Sequence, residues 1–208
     1  LFNKRVYELA GLDTRLGTIG PELATIGRMN TPFPGLSAPA ASFDAPFEML
    51  AGCHERVRRT LALLARLLAH LPQHGADAQA RSAAQDVLRY FDLAAPQHHL
   101  DEELHLVPVL QASADPALQA AAAQLLAEHA LIRPAWAQLR ELLAELQQHG
   151  HVPAGLDAAA QHFIALHGPH LELEDGLVYP AAQQRIAAAQ QQLIGAEMAA
   201  RRGVRPQR

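Results

Sequence analysis

Residues 98–108 read HHLDEELHLVP, and residues 170–180 read HLELEDGLVYP. Each stretch begins with a histidine, has a glutamate four residues later with a second acid after it, and reaches a proline ten residues after the histidine. Side chains four residues apart on an α-helix lie about 40° apart around the axis and about 6 Å along it. The pairs His98–Glu102 and His170–Glu174 are therefore predicted to face one way on two equivalent helices.

A lone histidine precedes each of these pairs. His54 lies 44 residues before His98, and His129 lies 41 residues before His170. A single histidine followed by His-x-x-x-Glu therefore occurs twice, in the same order. Self-similarity of this kind indicates an internal repeat of a helix pair.

The composition predicts an all-α protein. Half of the 208 residues are apolar, but only 5% are aromatic. Alanine, leucine, glutamine, glutamate and arginine dominate, and all of them are strong helix formers. The alternating Val/Ile/Thr-rich runs that are typical of strands are missing from the sequence.

Capping residues and prolines divide the chain into four long helices. The predicted helices run from Asp44 to Leu71, from Asp77 to Leu110 with an interruption at Pro96, from Asp115 to His149 with a bend at Pro134, and from Gly155 to Val178. The loops around residues 72–76, 111–115 and 150–154 are short enough to make neighbouring helices antiparallel. The sequence therefore predicts an up-down-up-down four-helix bundle.

The bundle is predicted to occupy residues 44–180, with a segment on either side. Residues 1–43 are interrupted by prolines and glycines, which predicts an irregular N-terminal arm with one short helix. Residues 181–208 are predicted to form a short C-terminal fifth helix, opened by Pro180 and ending near Arg202, and a tail. The arm and the fifth helix are the candidates for a homodimer contact.

Charge and cysteine content exclude several classes of protein. The net charge is −4 and no basic block occurs, so no nucleic-acid partner is expected. The single cysteine, Cys53, excludes an internal disulfide and cysteine-based zinc or iron–sulfur sites. No apolar run of 18 residues appears, so we expect a protein of the cytoplasm with no membrane partner.

The repeated residues predict a metal site inside the bundle. Imidazole nitrogen combined with carboxylate oxygen suits iron, manganese or zinc, and carboxylates that bridge favour a two-metal site. An unpaired carboxylate on an apolar helix face costs several kcal/mol, which cations would offset. The predicted ring of ligands is His54, His98, Glu102, His129, His170 and Glu174.

From Asp44 to Pro180 the chain resembles the hemerythrin-like, or HHE cation-binding, domain. The resemblance rests on four motif elements that occur in order on four predicted helices. It implies two irons with an oxygen-derived bridge between them, and Glu102 and Glu174 as bridging carboxylates. It further implies His54 and His98 on one iron, and His129 and His170 on the other. Manganese and zinc are the alternative metals.

The chain also departs from the oxygen-carrying hemerythrins. Those proteins have a further histidine one turn after the one on the third helix, where this chain has Arg133, and they use His-x-x-x-x-Asp on the last helix. His167, one turn before His170, is the predicted fifth histidine ligand. His99, about 100° around the helix from His98, is the weaker candidate and is expected near the helix boundary or the surface. These departures argue against simple reversible oxygen carriage.

Three polar side chains near the motifs have two interpretations each. Glu103 and Asp175 lie on the outer helix face or support the metal ligands, and the sequence does not decide between the two. Tyr179 packs near the core or hydrogen-bonds a ligand.

Several functions follow from a two-iron site. The preferred prediction is a protein that binds or senses a small diatomic or peroxide ligand (O₂, NO or H₂O₂). The alternatives are a di-iron enzyme that turns over peroxide or nitric oxide, an iron storage, delivery or iron–sulfur repair-type protein, and a bundle that binds a protein partner around a structural metal. The sequence shows no unambiguous substrate channel or proton donor, so a dedicated enzyme is the less favoured interpretation.

Overall fold

Helices account for all of the regular structure between residues 43 and 204, the part of the chain that the computed structural model describes. They are α1 (Pro46–His74), α2 (Ala78–Leu93), α3 (Ala95–Asp101), π1 (Glu102–Leu106), α4 (Val107–Gln111), α5 (Pro116–His149), α6 (Leu156–Leu173), π2 (Glu174–Val178), α7 (Tyr179–Arg185) and α8 (Ala188–Arg201). Within these residues no strand occurs, which confirms the all-α class. The predicted N-terminal arm, except for Phe43, lies outside the described residues.

Several predicted helix boundaries are confirmed by their capping geometry. The Asp77 carboxylate accepts a hydrogen bond of 2.8 Å from the Ala80 N–H, and Asp115 caps α5 in the same way. Gly150 closes α5 in the left-handed conformation, with φ of 68°, which a residue without a Cβ adopts at little cost. These local signals fix one helix end at each of the three loops.

The start and the end of α1 differ from the prediction. The N-cap is Ala45 instead of Asp44, because the residue before a proline is disfavoured in the helical conformation and Pro46 is the first helical residue. At the other end the helix runs through Pro72 to His74 instead of stopping at Leu71. One proline in the last turn removes a single backbone donor, which the helix tolerates there.

The two segments that carry the repeated motifs each contain a π-helical turn at the motif glutamate. The N–H of Val107 bonds to the carbonyl of Glu102, and the N–H of Tyr179 bonds to that of Glu174, five residues back in both cases. A proline lies two residues after the end of each turn, and proline lacks a donor and crowds the preceding turn of an α-helix. The wider turn accommodates the proline, and π turns of this kind are frequent at functional sites.

The helices pack so that a polar layer lies between two apolar clusters. Helix α1 packs against α2 and α6, and α5 packs against the same two helices. One apolar cluster is centred on Leu64, Val87, Leu139 and Phe163, and the other on Leu50, Leu110, Leu125 and Met198. Because each long segment runs from one cluster to the other, each brings its polar motif residue to the same level.

The C-terminal helix departs from the prediction. Pro180 does not open it, because the fourth segment continues through Pro180 to Arg185 and the chain becomes extended at Ile186 before α8 begins. Helix α8 is held beside the polar layer by Asp101, which is completely buried and accepts hydrogen bonds from Arg201 and Arg202 at 2.7 and 2.5 Å. A buried carboxylate needs such partners, so docking of α8 stabilises the residue directly before Glu102.

Two further contacts fix α8. His105 pairs with Glu197 of α8 at 2.7 Å. Gly195 faces the backbone of Phe43, and a Cβ at this position would overlap the Phe43 carbonyl oxygen. None of the helices between residues 43 and 204 is both long and apolar enough to span a bilayer.

Candidate metal centre

All six residues of the predicted ring meet in the polar layer. None of them is more than 2% exposed, so the layer is closed to bulk water. The ring is formed by His54 of α1, His98 of α3, Glu102 of π1, His129 of α5, His170 of α6 and Glu174 of π2. Two independent helix pairs therefore supply three residues each.

Each of the two glutamates turns one oxygen toward each half of the ring. Glu102 places Oε1 3.3 Å from Nε2 of His98 and Oε2 3.4 Å from Nε2 of His129. Glu174 places Oε2 3.1 Å from Nε2 of His54 and Oε1 3.3 Å from Nε2 of His170. This is the arrangement that two bridging carboxylates require.

Most of the ligand-type atoms of the ring lack hydrogen-bond partners. A buried polar atom without a partner costs about 1–3 kcal/mol, and such atoms are rare in folded proteins. Seven buried atoms of the ring have none: both ring nitrogens of His98, Nε2 of His129, Nε2 of His170, Oε2 of Glu102, and both carboxylate oxygens of Glu174. Nitrogen and oxygen lone pairs converging without donors fit cations, so the donor set suits the metal that the sequence predicts.

The acceptor atoms fall into two groups. In the first, His54, His98, Glu102 and Glu174 each offer one ligand atom, and all four atoms lie within 4.8 Å of one another. In the second, His99, His129 and His170 do the same. The oxygens of the two glutamates that face His129 and His170 lie beside this second group, so the layer contains two adjoining candidate metal positions, the first at the first group and the second at the second group.

An outer carboxylate orients the histidine of the first position. The Nδ1–H of His54 donates to Asp175 at 2.7 Å, and Asp175 also accepts from Arg58. Burial raises the pKa of Asp175, but the hydrogen bonds from Arg58 and His54 outweigh it and hold that pKa below its ordinary value. Such a partner fixes the tautomer that leaves Nε2 free as a metal ligand.

The second half repeats this arrangement. The Nδ1–H of His129 donates to Glu103 at 2.7 Å, and Glu103 also accepts from Arg133. Glu103 and Asp175, whose role the sequence left open, therefore both support ligands. Arg133 is the counterpart of Arg58, four residues after the lone histidine in each repeat. The internal repeat is therefore a sequence signal for the supporting role of Arg133, which was predicted only to replace a histidine.

His170 has a supporting carboxylate that the sequence analysis missed. Its Nδ1–H donates to Glu128 at 3.0 Å. Glu128 directly precedes His129, and the corresponding position before His54 is Cys53, so the internal repeat carried no signal for it. The thiol of Cys53 is buried, which raises its pKa to about 11 and disfavours the reactive thiolate.

Burial disfavours the charged forms of His98 and Glu174. Burial lowers the pKa of His98 to about 4, although the Glu102 carboxylate opposes the shift. Burial and the nearby charge of Glu102 raise the pKa of Glu174 well above its ordinary value. Neutral imidazoles and two carboxylates that repel each other are the electrostatic conditions under which cations bind best.

His99 is buried, which corrects the prediction that it lies near the helix boundary or the surface. It is 7% exposed, and its ring stacks on that of His129 at a centroid distance of 4.0 Å. It also meets the ring of His170 edge-on at 5.6 Å. His99 therefore joins His129 and His170 in the second group.

His167, the predicted fifth histidine ligand, is buried behind His170. Its Nδ1–H donates to the carbonyl of Phe163 at 2.8 Å, an anchor of the kind that ligating histidines have. Its ring centroid lies 6.3 Å from that of His170, and within residues 43–204 it belongs to neither group of converging ligand atoms. Its role as a ligand stays a prediction, and His99 competes for it.

The phenol of Tyr179 enters the layer from α7. Its ring stacks on His54 at a centroid distance of 4.8 Å. Its oxygen lies 2.8 Å from Nε2 of His54 and 2.5 Å from Oε1 of Glu102. Of the two interpretations that the sequence allowed, contact with the ligands is the one that the structure shows.

The comparisons with known proteins agree with this geometry. A family model described as the hemerythrin HHE cation-binding domain matches residues 45–182. An uncharacterized protein of Haemophilus influenzae is 32% identical over 170 residues, which span 79% of this chain and 94% of that protein. Together with the His/Glu cluster, the family match indicates a metal-binding protein. This chain belongs to the hemerythrin HHE cation-binding domain family.

Proposed function

We propose that this protein binds two iron ions and that the centre binds or senses a small diatomic or peroxide ligand. The observation that supports the proposal most strongly is the meeting of seven buried, unpartnered polar atoms from five histidine and glutamate side chains. The paired arrangement supports two ions, because each glutamate faces both halves. We also propose that the four long helical segments run up-down-up-down.

The residues divide between the two positions. His54 and His98 would hold one ion, His129 and His170 the other, and Glu102 and Glu174 would bridge them. His167 or His99 would complete the second position. Bound iron would supply a centre at which dioxygen, nitric oxide or peroxide is bound and exchanges electrons.

The burial of the layer supports a small ligand. The six ring residues are at most 2% exposed, so a bulky substrate has no contact with them. A small crevice lies between α1, π1 and α8, next to Asp101, and none of the six ring residues lines it. Enclosure of this kind favours molecules of a few atoms over bulky metabolites.

Anaerobic loading with Fe(II) tests this function. We expect two irons per chain by metal analysis after removal of free metal, and a change in the electronic spectrum when NO, O₂ or H₂O₂ is added. A spectral change without consumption of the added molecule supports binding or sensing, whereas repeated turnover of peroxide or nitric oxide would assign the alternative, an enzyme. Iron content well below two per chain would contradict the proposal.

The outer carboxylates provide a prediction about affinity. D175N and E103Q are each expected to weaken metal binding by about 10–100-fold, because partners that orient ligating histidines typically contribute this much. Competition with a chelator of known affinity measures the effect. E172Q is the matched control, since Glu172 is an exposed acid two residues before Glu174. Unchanged affinity in both outer variants would show that Asp175 and Glu103 do not act through the histidines.

A further inference from the structure

Tyr179 breaks the symmetry of the two repeats. The motif histidines and glutamates of the two segments are 72 residues apart, and the same offset pairs Tyr179 with Val107. The main-chain N–H of each bonds to the motif glutamate through the π turn, so the two side chains start from equivalent places. A phenol therefore reaches one metal position, and an aliphatic side chain occupies the equivalent place in the other repeat.

The phenol oxygen lies beside two atoms of the first position. It is 2.8 Å from Nε2 of His54 and 2.5 Å from Oε1 of Glu102. Ligands bound to the same ion at about 2.1 Å, at right angles to each other, lie about 3 Å apart. The spacing of the three atoms is therefore close to that of neighbouring ligands on a single ion.

While the His54 ring is neutral, hydrogen bonding alone does not account for both contacts. The Nδ1–H of His54 is directed at Asp175, which leaves Nε2 as a lone pair. The Glu102 oxygen is also an acceptor, and the phenol has a single hydrogen to donate. One of the two short contacts therefore joins two lone pairs, and a cation between them removes that repulsion.

We propose that the Tyr179 oxygen is a ligand of the metal at the first position, together with His54, His98, Glu102 and Glu174. This inference rests on the proposed two-metal function. On binding, a metal–oxygen bond replaces the phenol O–H bond, and the proton leaves to solvent. The first position then has two nitrogen and three oxygen ligands, whereas the second is dominated by histidine. The harder oxygen donors favour the trivalent ion at the first position.

Optical and resonance Raman spectra of the ferric protein test this ligand. We expect a visible phenolate-to-iron charge-transfer band and enhanced tyrosinate ring modes in the wild type. Y179F should lack both, whereas Y90F should keep both. Tyr90 is the matched control because it is also buried, but its O–H donates to the main-chain oxygen of Cys53 at 3.2 Å.

If Y179F folds poorly, the spectra of the wild-type protein alone still test the proposal. A wild-type protein with two irons but no charge-transfer band would overturn the tyrosine ligand and leave the two-iron function standing. A band that persists in folded, loaded Y179F would overturn it too. Failure of the wild type to take up iron would instead contradict the proposed function. Ring-deuterated tyrosine should shift the enhanced modes if they arise from a phenolate, and unshifted modes would refute the assignment.

Discussion

Replacing either Glu102 or Glu174 with alanine is expected to abolish the two-iron centre. Each carboxylate faces both positions, so one substitution removes an oxygen ligand from both ions at once. It also removes the negative charge that offsets the repulsion between two cations in a poorly solvated layer, where charge interactions are several-fold stronger than in water. We expect metal content to fall from two irons per chain to less than one.

Metal analysis after anaerobic loading and desalting measures this loss. E172A is the matched control, because it deletes an exposed carboxylate two residues before Glu174 and should retain both irons. Far-ultraviolet circular dichroism checks that each variant keeps its helices. Retention of two irons by either E102A or E174A would refute the bridging arrangement for that residue.

The residues that meet at the centre could be predicted because helix geometry is local. The four-residue spacing of His98 and Glu102 fixes a shared face whatever the surroundings, and its repetition at His170 and Glu174 indicates a common target. The structure brings these residues and both lone histidines together in one buried layer. Residue type and spacing were sufficient to predict which side chains meet, because a metal site requires particular residue types at particular spacings.

The burial of His99 could not be predicted in the same way. A position about 100° from His98 was expected to leave the interior, but a helix in a bundle contacts two neighbours. His98 faces α1, where its ring lies 5.0 Å from that of His54, and His99 faces α5, where it stacks on His129. Both side chains are therefore buried, and the packing of α5 against α3 is what buries His99.

The break between α7 and α8 has no local signal either. Residues 185–188 contain neither proline nor glycine, and the composition on both sides favours helix. The chain becomes extended at Ile186, whose side chain is buried in the apolar cluster around Met198. The contacts of Arg201 and Arg202 with Asp101 then determine where the last helix lies. These are tertiary interactions between residues about 100 positions apart.

Removing the metal is expected to lower the thermal stability of the protein substantially. An ion that binds only the folded state stabilises it by about 4 kcal/mol when its free concentration is a thousand-fold above Kd. For a domain of this size, each kcal/mol shifts Tm by about 2–4 °C, so loss of even one ion should lower Tm by about 8–16 °C. The metal-free layer also retains its unpartnered inner atoms, which adds to the loss.

Thermal unfolding with and without a chelator, followed by circular dichroism, measures this difference. The variant that combines E102A and E174A is the control, because a chain that cannot bind the ions should melt at one temperature with or without chelator. That variant also loses the repulsion between the two buried carboxylates, so it is expected to melt above the metal-free wild type. A wild-type Tm that does not respond to chelator, in a protein shown to hold two irons, would mean that the ions bind the unfolded chain as tightly as the folded one. Equal binding to the unfolded chain is incompatible with the geometry of the site. The four histidines come from four separate helix segments, and the unfolded chain does not hold their side chains together.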